Sequence, residues 1–268
     1  MNRSTGWLVL VIGAAALGAV LFIHYSRQHR LAEQAETPPA AAQQQAPAEP
    51  QVRHPIENAQ AEAASSDQPL PTLTGSDAAA KDTLQGLIGA KAFSDFIEGQ
   101  DLVRHLVATV DAMSRDKVAR GFIPLRPLPG HFAVSGQGDQ MVMDASNSRR
   151  YAPLVMVAQS VDSAKLVGAY VHLYPLFQQA YRQMGYPQDY FNDRLVETID
   201  DLLDAPEIQG PVKLVRPKVL YQFADPDLES RSAGQKMMVR MGLQNELQIK
   251  AKLREIRSRI TGRGPSQQ

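Results

Sequence analysis

The pattern of apolar and polar positions divides the chain into a long apolar run, a polar stretch and a region of helical periodicity. The run, WLVLVIGAAALGAVLFI at residues 7–23, contains no charged residue. At about 1.5 Å per helical residue it spans roughly 25 Å, close to the hydrocarbon thickness of a bilayer. Trp7 and Tyr25 flank it, as aromatic residues do at membrane interfaces. We therefore predict a short tail over residues 1–6 and a transmembrane helix over 7–25.

A cleaved signal peptide is the alternative interpretation of the apolar run. Signal peptides usually have a shorter apolar core followed by a small-residue cleavage site. Here the sequence HYSRQHR follows instead, with Arg27 and Arg30. Positive charges nearly balance on the two flanks, so the positive-inside rule leaves the orientation open. Small residues four apart, such as Ala14 and Gly18, would allow helices to approach closely, so an oligomer is possible.

Residues 26–76 are dominated by alanine, proline and glutamine and show no sustained apolar period. Such a stretch buries too little apolar surface to offset the entropy of ordering it. Its prolines also oppose a continuous helix. We predict a disordered linker here, a globular domain over 77–263 and a flexible tail over 264–268.

The first part of the globular region has helical periodicity between Lys81 and Met113. Gly99 is expected to divide this part into two helices. Prolines and glycines crowd residues 121–138, which predicts an extended crossing with one short strand near His131–Val134. Candidate N-caps then begin two further helices, namely Asp144 or Ser146 for a helix near 147–158, and Asp162 or Ser163 for one that reaches Met184.

The last part of the chain combines a β-like segment with two helices. Apolar residues alternate over 211–223, where Pro211 and Pro217 favour short edge strands, so we expect a small two-stranded β element. Gly242 is expected to separate two helices. The second helix carries a narrow apolar stripe formed by Ile249, Leu253, Ile256 and Ile260. The predicted fold class is mainly α: one transmembrane helix, a disordered stalk and a compact helical domain with this β element.

The segment YPQDYFNDRLVETIDDLL, residues 186–203, predicts an amphipathic helix from about residue 192 to Asp204, capped by Asp189 or Asn192. On a helical wheel the leucines gather on one side. Four carboxylates share the opposite side: Asp193, Glu197, Asp200 and Asp204. We expect a solvated face. Docking onto a basic partner and carboxylate chelation of a metal are the alternatives.

The C-terminal helix is basic where this helix is acidic. Arg254 and Arg257 lie among its polar positions. The two helices could meet electrostatically, within one molecule or between two. The candidate interaction surface is therefore the acidic stripe together with these two arginines.

Composition limits the chemistry. The formal net charge is zero, which argues against a nucleic-acid-binding protein, and the absence of cysteine excludes thiolate chemistry. Residues 114–117 match S-x-x-K, but the motifs that accompany it in known enzymes are absent. We predict no catalytic, cofactor-binding or metal-ligating residue. Should the protein be an enzyme, the candidate pocket residues are the polar and aromatic side chains of two proline-containing segments: Arg126, His131, Tyr186 and Tyr190.

Four segments carry a resemblance to a known family: GFIPLRPLPGHFAV, SRRYAPLV, YPLFQQAYRQMGYPQDYFNDRLVETIDDLL and LVRPKVLYQFADPDLESRSAGQKMMVRMG. Over about residues 75–260 the chain resembles the domain of unknown function 3014 of bacterial membrane-anchored proteins. The resemblance implies a Gram-negative envelope setting and no activity, cofactor or catalytic residue. We expect a single-pass inner-membrane protein with a periplasmic C-terminal domain. Its domain would be a non-catalytic module that binds or scaffolds an envelope protein or polymer.

Overall fold

The computed structural model describes residues 52–60 and 69–262. Its α-helices are α1 (Asp77–Ile88), α2 (Ala90–Phe96), α3 (Leu102–Met113), α4 (Ser146–Ser160), α5 (Ser163–Gln183), α6 (Phe191–Leu203), α7 (Pro226–Glu229), α8 (Ala233–Met241) and α9 (Leu243–Ile260). Its strands are β1 (Val134–Ser135), β2 (Val142–Met143), β3 (Leu214–Val215) and β4 (Gln222–Phe223). The predicted transmembrane helix, both terminal tails and most of the predicted linker lie outside the described residues.

The main core lies between α3, α5 and α6. Leu102 and Val107 on α3 are fully buried, and Phe177 on α5 and Phe191 on α6 pack in the same cluster. The rings of these two phenylalanines lie 5.9 Å apart between centroids. Burial of such side chains is the dominant stabilising contribution of a helical domain. The predicted mainly helical class is confirmed for the described residues.

The predicted apolar stripe of the C-terminal helix is confirmed as a packing face. Ile260 on α9 is buried against Val167 of α5 and Ile199 of α6. Leu253 and Ile256 pack against the same cluster. α9 therefore packs across α5 and α6.

The β structure consists of two antiparallel pairs. β3 pairs with β4, with Leu214 opposite Phe223, which confirms the predicted two-stranded element. β1 pairs with β2, and the short strand expected near residue 134 is also confirmed. The two pairs are joined where Met143 N–H donates to Val212 O at 2.8 Å. Four short strands thus form one patch beside the helices.

Glycine positions account for two helix breaks. Gly242 separates α8 from α9 with φ 83°, a conformation that strains other residues, and this predicted break is confirmed. Gly89 adopts the same φ between α1 and α2. The region between Lys81 and Met113 therefore contains parts of three helices. The predicted break at Gly99 is confirmed, but the predicted number of two helices is wrong because Gly89 adds a second break. Gly99 lies in the later break between α2 and α3.

Two described segments, 52–60 and 69–76, fall within the predicted linker, and both contact the folded body. Leu73 is buried in the main core, and Ile56 packs against that core from outside. The backbone N–H of Gln60 donates to the Arg259 carbonyl at 2.8 Å. The folded body therefore begins earlier along the chain than residue 77.

Candidate functional site

A cavity of about 370 Å³ lies where α3, α5, α6 and the segment before the domain meet. We call it the tyrosine–arginine pocket. It is lined by Arg53, Asp111, Arg115, Tyr181, Tyr186, Asp189, Tyr190, Asp193, Arg194 and Glu197. Its volume lies at the lower end of the range of about 300–1,000 Å³ that is usual for ligand sites.

Asp111, at the C-terminal end of α3, organises the pocket. Its carboxylate is 6 % exposed and accepts from Arg194 Nε at 3.0 Å and from Arg115 Nη2 at 3.0 Å. The Tyr186 hydroxyl donates to its second oxygen at 3.3 Å. Arg194 also donates to the Asp111 carbonyl at 2.6 Å. Two guanidinium groups therefore offset the cost of burying this carboxylate.

Tyrosines form the apolar side of the pocket. The rings of Tyr181 and Tyr186 stack with centroids 4.5 Å apart. Tyr181 is buried, and burial followed by the nearby Asp111 charge raises the pKa of its phenol to about 12. Tyr186 is half-buried and lines the pocket. The pair offers a flat aromatic surface beside charged groups.

Residues 52–60, which we call the strap, form the last wall of the pocket. The backbone N–H groups of Arg53 and His54 donate to the two carboxylate oxygens of Asp193, at 3.0 and 2.7 Å. The Asn192 amide donates to the His54 carbonyl at 2.8 Å, and Ile56 N–H donates to the Tyr190 hydroxyl at 3.0 Å. The strap is therefore bound to the first turn of α6 through its backbone.

The Arg53 side chain extends from the strap to Glu197, with which it forms an ion pair. Glu197 also accepts from Arg194 Nη1 at 3.3 Å. Partial burial by itself would raise the pKa of Glu197, but the hydrogen bonds from Arg53 and Arg194 outweigh it and lower that pKa. Glu197 is thus held as an anion.

The acidic stripe predicted on α6 is only partly a solvated face. Asp193 is 8 % exposed because the strap covers it, so the expectation that it faces solvent is wrong. Asp200 forms an ion pair with Arg257 of α9, so the proposed meeting of the acidic and basic helices occurs within one molecule. Asp204 and Arg254 are exposed. Surface pairs of this kind contribute about 1 kcal/mol or less, so they orient the helices more than they stabilise them.

The four residues proposed for an enzyme pocket do not come together in this cavity. Tyr186 and Tyr190 line it, whereas Arg126 and His131 are not among its lining residues. Arg126 is exposed and donates to the Ile97 carbonyl at 3.2 Å. His131 is exposed in the crossing before β1.

Several residues that build the pocket were missed by the sequence reasoning. Asp111 and Arg115 stand four residues apart, a spacing at which opposite charges meet on a helix, and that signal was readable. Arg194 was not predicted as a pocket residue because it lies among the acidic residues of α6. Arg53 carried no local signal, since its partners Asp193 and Glu197 lie about 140 residues further along the chain.

A second cavity, of about 450 Å³, lies between the start of α4, the 208–212 loop and the α8–α9 junction. Glu246 lines it and is 1 % exposed. Burial raises the pKa of Glu246, against the opposing effect of Lys250, whose Nζ lies 3.2 Å from Glu246 Oε1. Lys250 also donates to the Ala205 carbonyl at 2.6 Å and to Glu207 at 2.9 Å. Lys250 is buried and therefore connects the loop after α6 to α9.

Within 52–60 and 69–262, no group of three or more histidine, aspartate or glutamate side chains has an arrangement that could hold a metal ion. In the same ranges no single helix is long and apolar enough to cross a bilayer, although α4 and α5, bent by 81° at their junction, pass that criterion as a pair.

A family model described as "Protein of unknown function (DUF3014)" matches residues 102–257, which is more than half of the chain. The chain belongs to the DUF3014 family. The resemblance to the domain of unknown function 3014 is thereby confirmed. The matched range contains every pocket residue except Arg53, which the strap supplies. Comparisons with curated proteins and with solved structures each gave no match.

Proposed function

We propose that this DUF3014 protein is a single-pass membrane-anchored protein of the bacterial cell envelope whose folded domain is a non-catalytic binding module. The tyrosine–arginine pocket is its binding site. The observation that carries the proposal is the pairing of the pocket's cations. Arg53 pairs with Glu197, Arg115 with Asp111, and Arg194 with both carboxylates. A ligand therefore meets a preorganised polar surface.

The ionisation of the pocket supports binding over catalysis. A general acid needs a carboxyl group whose pKa lies near the working pH, but the arginines lower the pKa of Glu197. A nucleophilic or basic tyrosine needs a lowered pKa, yet burial raises that of Tyr181 to about 12. Neither group is tuned for proton transfer near neutral pH.

The chemistry of the pocket favours a polar ligand without strong net charge. Three arginines stand against four carboxylates, so the formal sum is −1 and a polyanion gains little attraction. Paired arginines and carboxylates present donors and acceptors side by side. The stacked tyrosines present an apolar face. A glycan strand of the envelope combines hydroxyl groups with apolar ring faces and fits this arrangement.

Calorimetric titration of the full chain in lipid nanodiscs with soluble peptidoglycan glycan strands tests this proposal. The Tyr186→Ala variant should bind about three- to tenfold more weakly, since an aromatic contact contributes about 0.5–1.5 kcal/mol and 1.4 kcal/mol is tenfold. Tyr221→Ala, outside the pocket, is the matched control and should bind as the parent does. Equal affinity of the Tyr186→Ala and parent proteins would contradict the site.

The alternative is an envelope enzyme, and the presence of Tyr186 and Tyr190 in one cavity favours it. Mass spectrometry of the glycan after prolonged incubation separates the two functions. The binding module returns the strands unchanged, whereas an enzyme shortens or modifies them.

The proposed topology places residues 7–25 in the inner membrane and the domain in the periplasm. It rests on the apolar run at residues 7–23 and on the envelope setting that the family resemblance implies. A C-terminal reporter active only after export should be active in the full chain. Activity of a cytoplasmic reporter alone would overturn this orientation.

A further inference from the structure

The β3–β4 hairpin ends in an exposed apolar tip. Val219 is 76 % exposed and Leu220 is 77 % exposed, the two highest values among the large apolar side chains of the described residues. A single exposed apolar side chain on a protein surface is ordinary. Two consecutive ones at the end of a projecting hairpin are a candidate contact site.

The hairpin is basic, with Lys213 at its base and Arg216 and Lys218 in its tip. Between residues 212 and 224 the sequence VKLVRPKVLYQFA contains Lys213, Arg216 and Lys218 and no acidic residue. The chain as a whole has a formal net charge of zero, so this cluster is a local concentration of positive charge. All three side chains belong to exposed residues. Basic residues around exposed apolar side chains match the chemistry of an anionic lipid surface.

The hairpin holds its tip in a defined conformation. At its base Leu214 and Phe223 face each other and are both buried in the core beside the strands. In the tip, Arg216 Nε donates to the Val219 carbonyl at 3.2 Å, and the guanidinium lies 5.2 Å from the centre of the Tyr221 ring. These contacts restrict the tip before it binds, which lowers the entropy cost of a contact by this small element.

We infer that the hairpin tip is a membrane-contacting element for a bilayer that contains anionic phospholipid. Val219 and Leu220 enter the interfacial region, while Arg216 and Lys218 beside them pair with lipid phosphates. A protein partner fits less well, because two apolar side chains are far less than the roughly 800 Å² per partner that stable complexes bury. A bilayer needs no complementary pocket.

The inference rests on the proposed membrane anchor in one respect. A weakly binding tip becomes effective only if the rest of the chain keeps it near the surface, which raises its effective concentration. The anchor and the tip can nevertheless be measured separately in one preparation.

The absence of cysteine in the chain permits a direct test. Pro217→Cys, in the full chain reconstituted into vesicles, receives an environment-sensitive fluorophore at an exposed position beside the two apolar residues. In vesicles containing phosphatidylglycerol the emission should shift to the blue and be quenched by lipids with a nitroxide on the acyl chain. The same label at Met156→Cys, which is also exposed, should show neither effect.

Two further variants separate the apolar contribution to membrane binding from the electrostatic one. Replacing Val219 and Leu220 by serine should reduce the membrane-bound fraction of the tip about tenfold or more, because most of the apolar contact is lost. Arg216→Glu with Lys218→Glu should remove the preference for phosphatidylglycerol over phosphatidylcholine. Amide hydrogen exchange of unlabelled protein should slow at residues 216–221 in the anionic vesicles only, which guards against an effect of the label.

The outcomes are distinguishable. If the protein resists extraction from the vesicles by carbonate but the label at residue 217 behaves as the label at 156 does, the inference about the hairpin is wrong and the proposed anchor stands. If the protein is extracted by carbonate, the proposed anchor is wrong. A tip that contacts only an added protein, and not protein-free lipid, also overturns the inference.

Discussion

At the scale of single residues, a few carboxylates determine the geometry of the pocket. Asp193 accepts two backbone N–H groups from a segment about 140 residues earlier in the chain, and Asp111 accepts from two arginines. Hydrogen bonds to ionised acceptors are roughly twice as strong as neutral ones. Removing the charge of Asp193 should therefore loosen the strap, whereas removing an arginine that pairs with Asp111 should destabilise the domain.

Asp193→Asn should release the strap. Asparagine keeps one acceptor oxygen but loses the charge and the second acceptor, and charge-assisted hydrogen bonds contribute about 1.5–3 kcal/mol each. Amide exchange at residues 53–56, followed by mass spectrometry, should accelerate roughly tenfold or more. Asp204→Asn, at an exposed position of the same helix region, is the control and should leave the strap unchanged. Unchanged exchange in Asp193→Asn would show that Asp193 does not hold the strap.

Arg194→Ala should destabilise the whole domain. It removes one of the two cations at a buried carboxylate, and the remaining Arg115 offsets only part of the loss. The expected decrease in the free energy of unfolding is about 1–3 kcal/mol, measured by urea denaturation. Arg254→Ala, an exposed arginine, should change it by less than about 0.5 kcal/mol. Similar midpoints for the two variants would refute the structural role given to Arg194.

The contribution of Asp144 to the stability of the fold should depend on pH in the acidic range. Hydrogen bonds from Ser135 and Ser146 lower its pKa from 3.8 to about 2. Because the folded pKa is the lower one, the stabilisation is complete above about pH 4 and is lost as the pH falls towards 2. An NMR titration of the carboxyl group should follow the lowered pKa. The melting temperature of Asp144→Asn should vary less than that of the parent between these pH values, and a carboxyl that titrates near 3.8 would contradict the assignment.

At the scale of elements, the sequence predicted helices best where the signals are local. Asp162 begins α5 as expected, its carboxylate accepting from Lys165 N–H at 2.9 Å, and Gly242 ends α8 as expected. The start of α6 was predicted less well. Its first N–H, on Phe191, donates to the side chain of Gln178 at 2.8 Å, not to Asp189 or Asn192. A cap supplied by a neighbouring helix leaves no trace in the local sequence.

The pocket was less predictable than the helices for a similar reason. A helical wheel locates the core side of α6 correctly but cannot show that a distant strap covers Asp193. The pairing of β1 with β2 was missed because two-residue strands carry almost no periodicity. Contacts set by tertiary structure, rather than by spacing, account for these misses.

Helix packing gives an element-scale prediction at Gly234 on α8. A Cβ atom at this position would lie 2.6 Å from Leu202 Cδ2 of α6 and 3.0 Å from the Met113 carbonyl at the end of α3. Gly234→Ala should therefore lower the free energy of unfolding by about 1–3 kcal/mol through overpacking.

Gly86→Ala is the matched control for that change. Gly86 also lies within a helix, α1, and a Cβ atom there would meet nothing within 4 Å. Alanine should stabilise this helix by about 0.5–1 kcal/mol. The midpoint of urea denaturation should thus fall for Gly234→Ala and rise for Gly86→Ala. A shift of both in the same direction would show that close packing at Gly234 is not the cause.

At the scale of the whole molecule, the strap lies between the part of the chain proposed to anchor in the membrane and the domain proposed to bind a ligand. Along the chain it is the first described segment after the predicted anchor, and its Arg53 forms part of the pocket wall. Ligand binding and the attachment of the strap to α6 should therefore influence each other, because both use Glu197. The family match covers residues 102–257, which include α3 to most of α9 but neither the strap nor α1 and α2.

The central claim is that the tyrosine–arginine pocket binds an envelope glycan in the anchored protein. The most direct measurement is hydrogen exchange of the full chain in nanodiscs, with and without soluble peptidoglycan strands at saturating concentration. Glycan binding in the pocket should slow hydrogen exchange in the backbone segments that line it, 110–116 and 186–197, and change hydrogen exchange in the strap. Exchange that is unaltered throughout, or altered only away from these segments, would contradict it.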